Sequence, residues 1–148
     1  MMKFLLLLLL LSPSLLAFNL TEAVAAVIVR EAGGEGQRGM QAVANVIANR
    51  ANNKTPFEVV NRKWQFSCVN SITVTKSDTW ENVIAKSKRH RKWFDALELA
   101  KKVENKNLLD ITNGATHYYA PKKVKTNPSW AAKIEYKTTI GNHKFYRE

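Results

Sequence analysis

A single cysteine, Cys68, stands in a chain of 148 residues, so no intramolecular disulfide can brace the fold and the hydrophobic core must hold it alone. The composition permits this. Hydrophobic residues make up 45% of the chain, with four Trp, six Phe and four Tyr, enough for a domain of this size to fold unaided. The length allows one domain rather than two, and the apolar content argues against global disorder. No internal repeat or low-complexity linker divides the chain after its first segment.

The missing disulfide is informative because the N-terminus reads as an export signal. Lys3 precedes an unbroken apolar run over residues 4–11, followed by Ser12-Pro13-Ser14-Leu15-Leu16-Ala17, a charged start, an apolar centre and a small residue. The run falls short of the roughly 20 residues a helix needs to cross a bilayer. Residues 1–17 are therefore expected to be a signal peptide cleaved after Ala17, rather than a retained anchor, leaving residues 18–148 as the working domain. The chain carries 23 Lys+Arg against 12 Asp+Glu, a net charge of +11; the leader holds only Lys3, so +10 stays with the domain. In the periplasm, cell wall or extracellular space, that charge favours anionic wall polymers or lipid headgroups over nucleic acid. A monomer is expected.

Asn19-Leu20-Thr21-Glu22 has the form of a capping box and predicts the start of a helix. Val24, Val27, Ile28 and Glu31 follow at i, i+3, i+4 and i+7, so an acid shares a stripe with three aliphatics before Gly33-Gly34 ends the helix. A second helix is expected over residues 37–51 on the stripe Met40, Val43, Ala44 and Ile47, widened by Val46. Thr55-Pro56-Phe57-Glu58 predicts a short third helix containing Val59 and Val60. Residues 64–67 read as an ordered loop, residues 71–80 carry no clear period, and residues 77–106 read as mostly helical. There Trp93, Ala96, Leu97 and Ala100 share a face. Residues 134–140 alternate, Gly141-Asn142 supplies a turn, and residues 143–146 return as a second strand. The expected fold is α+β, a mainly helical single domain with a small C-terminal β-hairpin.

Glu31 is the leading chemical candidate. A carboxyl on an apolar helix face beside a Gly-Gly break, kept protonated near neutral pH, can donate its proton to the leaving oxygen of a glycosidic bond. Glu35 is either a supporting substrate contact or a first-turn acid of the next helix. Gln65 and Ser67 can hydrogen-bond sugar hydroxyls or N-acetyl groups, and Phe66 can pack beneath a pyranose ring. Tyr118 and Tyr119, on an extended segment, must point to opposite faces, so at most one can line a cleft while the other packs. His117 and His143 lack acids at ligand spacing and His-Glu-x-x-His is absent, so no metal or other cofactor is expected. Cys68 with His117 offers a thiol peptidase as an alternative, against a small buried cysteine. Lys86, Lys88, Arg89, Arg91 and Lys92 form a basic run, read as a wall- or headgroup-binding patch or as a solvated helix face.

Several ordered blocks carry a family resemblance. Arg30-Glu31-Ala32-Gly33-Gly34-Glu35, then Ala42-Val43-Ala44-Asn45-Val46-Ile47-Ala48-Asn49-Arg50, resemble the opening motif of the spore cortex-lytic family of cell-wall hydrolases. Gln65-Phe66-Ser67, Gly114-Ala115-Thr116-His117-Tyr118-Tyr119-Ala120-Pro121 and Ile140-Gly141-Asn142-His143-Lys144-Phe145-Tyr146 follow in the family's order, so the resemblance covers nearly all of residues 18–148. It implies a lysozyme-like domain that cleaves the MurNAc–GlcNAc linkage of peptidoglycan, often as a lytic transglycosylase giving 1,6-anhydromuramic ends. Glu31 matches the family's catalytic acid, and the residues of the later blocks, His117 included, would then contact substrate. Arg30 and Gly33 depart from the pattern, standing where the family more often shows Gly and Arg. The spore members' separate wall-binding domain has no counterpart in this sequence, so a vegetative wall or phage lysis role fits as well as cortex. The alternatives to a glycosidase are the Cys68/His117 peptidase and a noncatalytic basic wall-binding module.

Overall fold

The computed structural model describes residues 18–148. The expected signal peptide, residues 1–17, lies outside the described residues. Helix α1 (Leu20–Ala32) starts where the Asn19 side chain accepts the N–H groups of Thr21 and Glu22 at 2.9 and 3.2 Å. Glu22 does not close the box; it pairs with Lys88 at 2.7 Å. Every residue from 23 to 28 is fully buried, because Ala23, Ala25 and Ala26 fill the gaps between the aliphatics and let neighbours close in on all sides. The expected stripe is thus part of a central helix buried all round.

Helix α2 (Gly36–Arg50) follows a 3₁₀ turn at Gly33–Glu35. Its Met40, Val43, Ala44 and Ile47 join the main core, while Ala42 and Val46 pack on the other side against Ala115, Ile140 and Phe145. Helix α3 (Pro56–Val60) carries the expected capping box in full, the Thr55 hydroxyl accepting from the Glu58 N–H and Glu58 from the Thr55 N–H. Residues 64–66 are loop, and the unassigned stretch holds a short turn of helix, α4 (Asn70–Thr73).

The expected helical region of residues 77–106 is two helices, α5 (Trp80–Ser87) and α6 (Trp93–Glu104). The break at residues 88–92 has a local cause. The Ser87 hydroxyl donates to the Val83 carbonyl, and His90 Nδ1 accepts the Lys92 N–H at 3.0 Å. The His90 ring then reaches Gly33, where a Cβ would lie only 2.8 Å from Cε1.

The C-terminal hairpin is present, β2 (Glu135–Ile140) with β3 (His143–Arg147), but it is two thirds of a sheet. A third strand, β1 (His117–Tyr119), lies antiparallel along the other edge of β3, giving the order β1-β3-β2. Three residues are too few to show alternation in sequence. Gly141 occupies the turn at φ +58°, and a Cβ there would collide with the Glu35 carboxylate. Among the described residues no helix is long and apolar enough to cross a membrane.

Candidate active site

Glu31 lies in the last turn of α1, where the buried helix reaches the edge of a cleft of about 410 Å³ between the sheet and the loop over residues 64–68. Tyr118, from β1, donates its hydroxyl to Glu31 Oε2 at 2.8 Å across 87 residues of sequence. Burial, reinforced by the Glu31 carboxylate, pushes the Tyr118 phenol well above its usual range, so it stays a proton donor. Its ring meets His143 edge-on at 5.2 Å and Phe145 at 5.6 Å, both from β3. The register Tyr118↔Phe145 therefore aims Tyr118 at the helix end.

The opposite wall is organised by Arg50, the last residue of α2. Its Nε donates to the Thr116 carbonyl at 2.6 Å and its Nη1 to Gln65 Oε1 at 3.2 Å, while the guanidinium sits 5.4 Å from the Phe66 ring centroid. Gln65 and Ser67 line the cleft as the sequence suggests. Phe66 also touches it, but with 2% exposure and Arg50 above its ring it has no free face for a sugar. The exposed aromatic is Trp64, 72% exposed and held at φ +64°, a backbone region costly for a residue with a large side chain.

The two tyrosines do part company: Tyr118 reaches Glu31, while Tyr119 is buried against Trp130 and Tyr146 and contributes only to the cleft's edge. His117 points elsewhere. Its Nδ1 lies 2.9 Å from the Thr116 hydroxyl, its ring packs on Trp130, and it lines a neighbouring basin. Glu35 is likewise outside the cleft: it accepts the Asn142 N–H at 3.0 Å and the Asn142 side-chain amide at 3.1 Å. Those bonds, the backbone one first, hold its carboxyl below the usual range and clamp the β2–β3 turn to the start of α2. Neither residue has the place among the cleft's lining that a substrate contact there requires.

Cys68 lines the cleft beside Glu31, but burial and the adjacent carboxylate push its thiol well up, the reverse of what a thiolate nucleophile needs. With His117 in another basin, the thiol pair has no shared cavity. His143, 4% exposed, lines the cleft with its pKa lowered chiefly by burial. Trp64, His143 and the cationic Lys123 were not singled out for this cleft by sequence reasoning, and Arg50 appeared only as the end of a motif. The basic run of residues 86–92 lies apart, with Lys86, Lys88 and Lys92 paired to Asp78, Glu22 and Asp95.

An open cleft at the end of a buried helix, with one carboxylate on its floor and cations on its walls, marks a helical hydrolase domain acting on an extended polar substrate. Residues 34–146 match the cell wall hydrolase family, and the chain belongs to it. The same fold occurs in the catalytic domain of the germination-specific lytic transglycosylase SleB from Bacillus anthracis, with TM-score 0.63 and 21% identity over 92% of this chain and 100% of that one. It occurs also in the Bacillus cereus SleB catalytic domain, with TM-score 0.58 and 24% identity over 91% and 94% of the two chains. No curated protein sequence matches the chain.

Proposed function

We propose that the protein cleaves the MurNAc–GlcNAc bond of peptidoglycan as a lytic transglycosylase, with Glu31 as acid and then base. The observation that carries this reading is that Glu31 is the only acid lining the cleft among the described residues. An inverting hydrolase would need a second carboxylate about 6.5–9.5 Å away to activate water, and a retaining one a nucleophile at about 5–5.5 Å. Transglycosylation needs one. Protonated Glu31 gives its proton to the glycosidic oxygen as the C1–O bond breaks. The resulting carboxylate takes the proton of the C6 hydroxyl as O6 bonds to C1, which closes the 1,6-anhydro ring and restores the acid without consuming water.

The Tyr118 hydroxyl donates to Glu31 Oε2 and would orient the carboxyl in the cleft. The Bacillus anthracis relative of this fold is itself described as a lytic transglycosylase, which supports the assignment. Residues 1–17 would deliver the domain to the wall.

The test is mass spectrometry of fragments released from purified peptidoglycan. Glycan fragments with anhydromuramic ends are expected, falling about 10²–10⁴-fold with Glu31→Gln while the thermal unfolding midpoint holds. Reducing-end sugars would replace transglycosylation by hydrolysis at the same acid. Released peptides, or fragments that survive Glu31→Gln, would overturn the assignment.

A further inference from the structure

The cleft does not end at Gln65. On the far side of the Arg50–Gln65 hydrogen bond a second basin of about 460 Å³ opens, lined by those same two residues together with Lys54, Arg62, Thr116 and His117. Its charge is lopsided. Arg50 spends its hydrogen bonds on neutral acceptors, the Thr116 carbonyl and the Gln65 amide oxygen. None of Arg50, Lys54 or Arg62 makes an ion pair among the described residues. The basin's one acid, Glu148, lies against His117 at 3.8 Å with a side chain 76% exposed. Burial is the largest influence on the Arg50 pKa and lowers it; Arg62 lowers it further, while Tyr118 and Glu148 act the other way.

We propose that this basin binds the carboxylates of the peptide stem that branches from muramic acid, beside the glycan strand held in the cleft. The inference rests on the reading that peptidoglycan is the substrate. Its geometry follows from the branched polymer: the stem leaves through the lactyl group of every second sugar, so its anionic groups must lie next to the glycan track rather than along it. A basin that shares a wall with the cleft provides that place. Guanidinium groups match carboxylates as planar forks, and Arg62 stands free to supply one, with Lys54 as a point charge. Arg50 and Gln65, already bonded to each other, divide the sugar side from the peptide side.

Two measurements test it. The double variant Lys54→Ala/Arg62→Ala is assayed on intact peptidoglycan and on glycan strands stripped of their stems by an amidase. The expected result is about a tenfold or larger fall in kcat/KM on the intact polymer and no change on the stripped strands. Equal changes on both, or none on either, would overturn the proposal. The second needs no cleavage, so it stands even if the glycosidase reading fails. Free L-Ala-D-Glu-diaminopimelate-D-Ala tetrapeptide is titrated into the protein and followed by amide chemical shifts. Saturating shifts at Arg62, Thr116 and His117 that vanish in the double variant are expected; their absence at about 10 mM peptide, beyond the millimolar range of a weak subsite, refutes it. If phosphate-rich wall polymer shifts the same amides and the peptide does not, the basin serves that polymer instead and the stem assignment falls.

Discussion

The pairing of Glu31 with Tyr118 joins two residues that do different work. Glu31 is placed by a helix; Tyr118 is placed by a strand register and donates to one oxygen of the Glu31 carboxyl. Tyr118→Phe keeps the ring packed on His143 and Phe145 but removes the hydroxyl. Turnover is expected to drop by about tenfold to a hundredfold through lost orientation, with KM nearly unchanged, in a steady-state assay on soluble glycan chains. Trp64 tests the opposite division. At φ +64° its backbone is strained, and its indole is exposed in the cleft, a combination better explained by a sugar platform than by packing. Trp64→Gly should leave the midpoint of thermal unfolding level or raise it, by relief of about 1 kcal/mol, while raising KM about tenfold. A fall in stability with KM intact would make Trp64 a structural residue. The place of Glu31 at the end of α1 was legible in the sequence because period and breaker coincide there. Trp64, Arg50 and His143 were not, since a left-handed φ, a cross-chain guanidinium and a strand neighbour leave no local trace.

At the scale of elements, α2 does more than fill the core. Gln41, Asn45 and Asn49, spaced by four, form a polar ladder that holds the loop leading to β1. Gln41 and Asn45 donate to the Leu109 carbonyl at 2.9 and 3.0 Å, Asn45 accepts from the Ile111 N–H at 3.1 Å, and Asn49 donates to the Ala115 carbonyl at 2.9 Å. This explains why asparagines interrupt an apolar helix, and it makes Asn45, 1% exposed, a structural residue for the distant strand that carries Tyr118. Asn45→Ala should cost about 2 kcal/mol by stranding a buried N–H, a fall of roughly 6–10 °C in Tm by calorimetry, and should lower turnover by loosening Tyr118. Helices α1 and α3 could be read from their caps, and α2 from its apolar period. The α5–α6 break could not, because it rests on side-chain-to-backbone hydrogen bonds of Ser87 and His90 that a helical period does not register. The extended segment at Tyr118 and Tyr119 could be read, but its pairing with β3, and so which tyrosine meets Glu31, could not.

Across the whole molecule, acid stability and wall affinity have separate electrostatic origins. Two carboxylates tie the sheet region to the helices. Glu35 is held below its ordinary pKa by the Asn142 N–H, and Asp110 is lowered too, burial being outweighed by hydrogen bonds from Thr112, Asn49 and Gly114. A depressed carboxyl stabilises the fold above its unfolded pKa, about 4 here, and that contribution is lost as pH falls through the lower folded value. The Tm gap between wild type and Glu35→Gln should therefore be full at pH 6 and close toward pH 3; a constant gap would show that the clamp does not depend on charge. The net charge of +11 acts instead on encounter with the polymer. Raising salt from 0.1 to 1 M shortens the screening length from about 10 to about 3 Å, so kcat/KM on anionic sacculi should fall severalfold through KM. Glu31, Tyr118 and the cleft's hydrogen bonds act at contact distance, where screening is weak. Turnover at saturating substrate should consequently hold across the same range, and a matching fall in kcat would mean that salt acts on the site itself rather than on the approach to it.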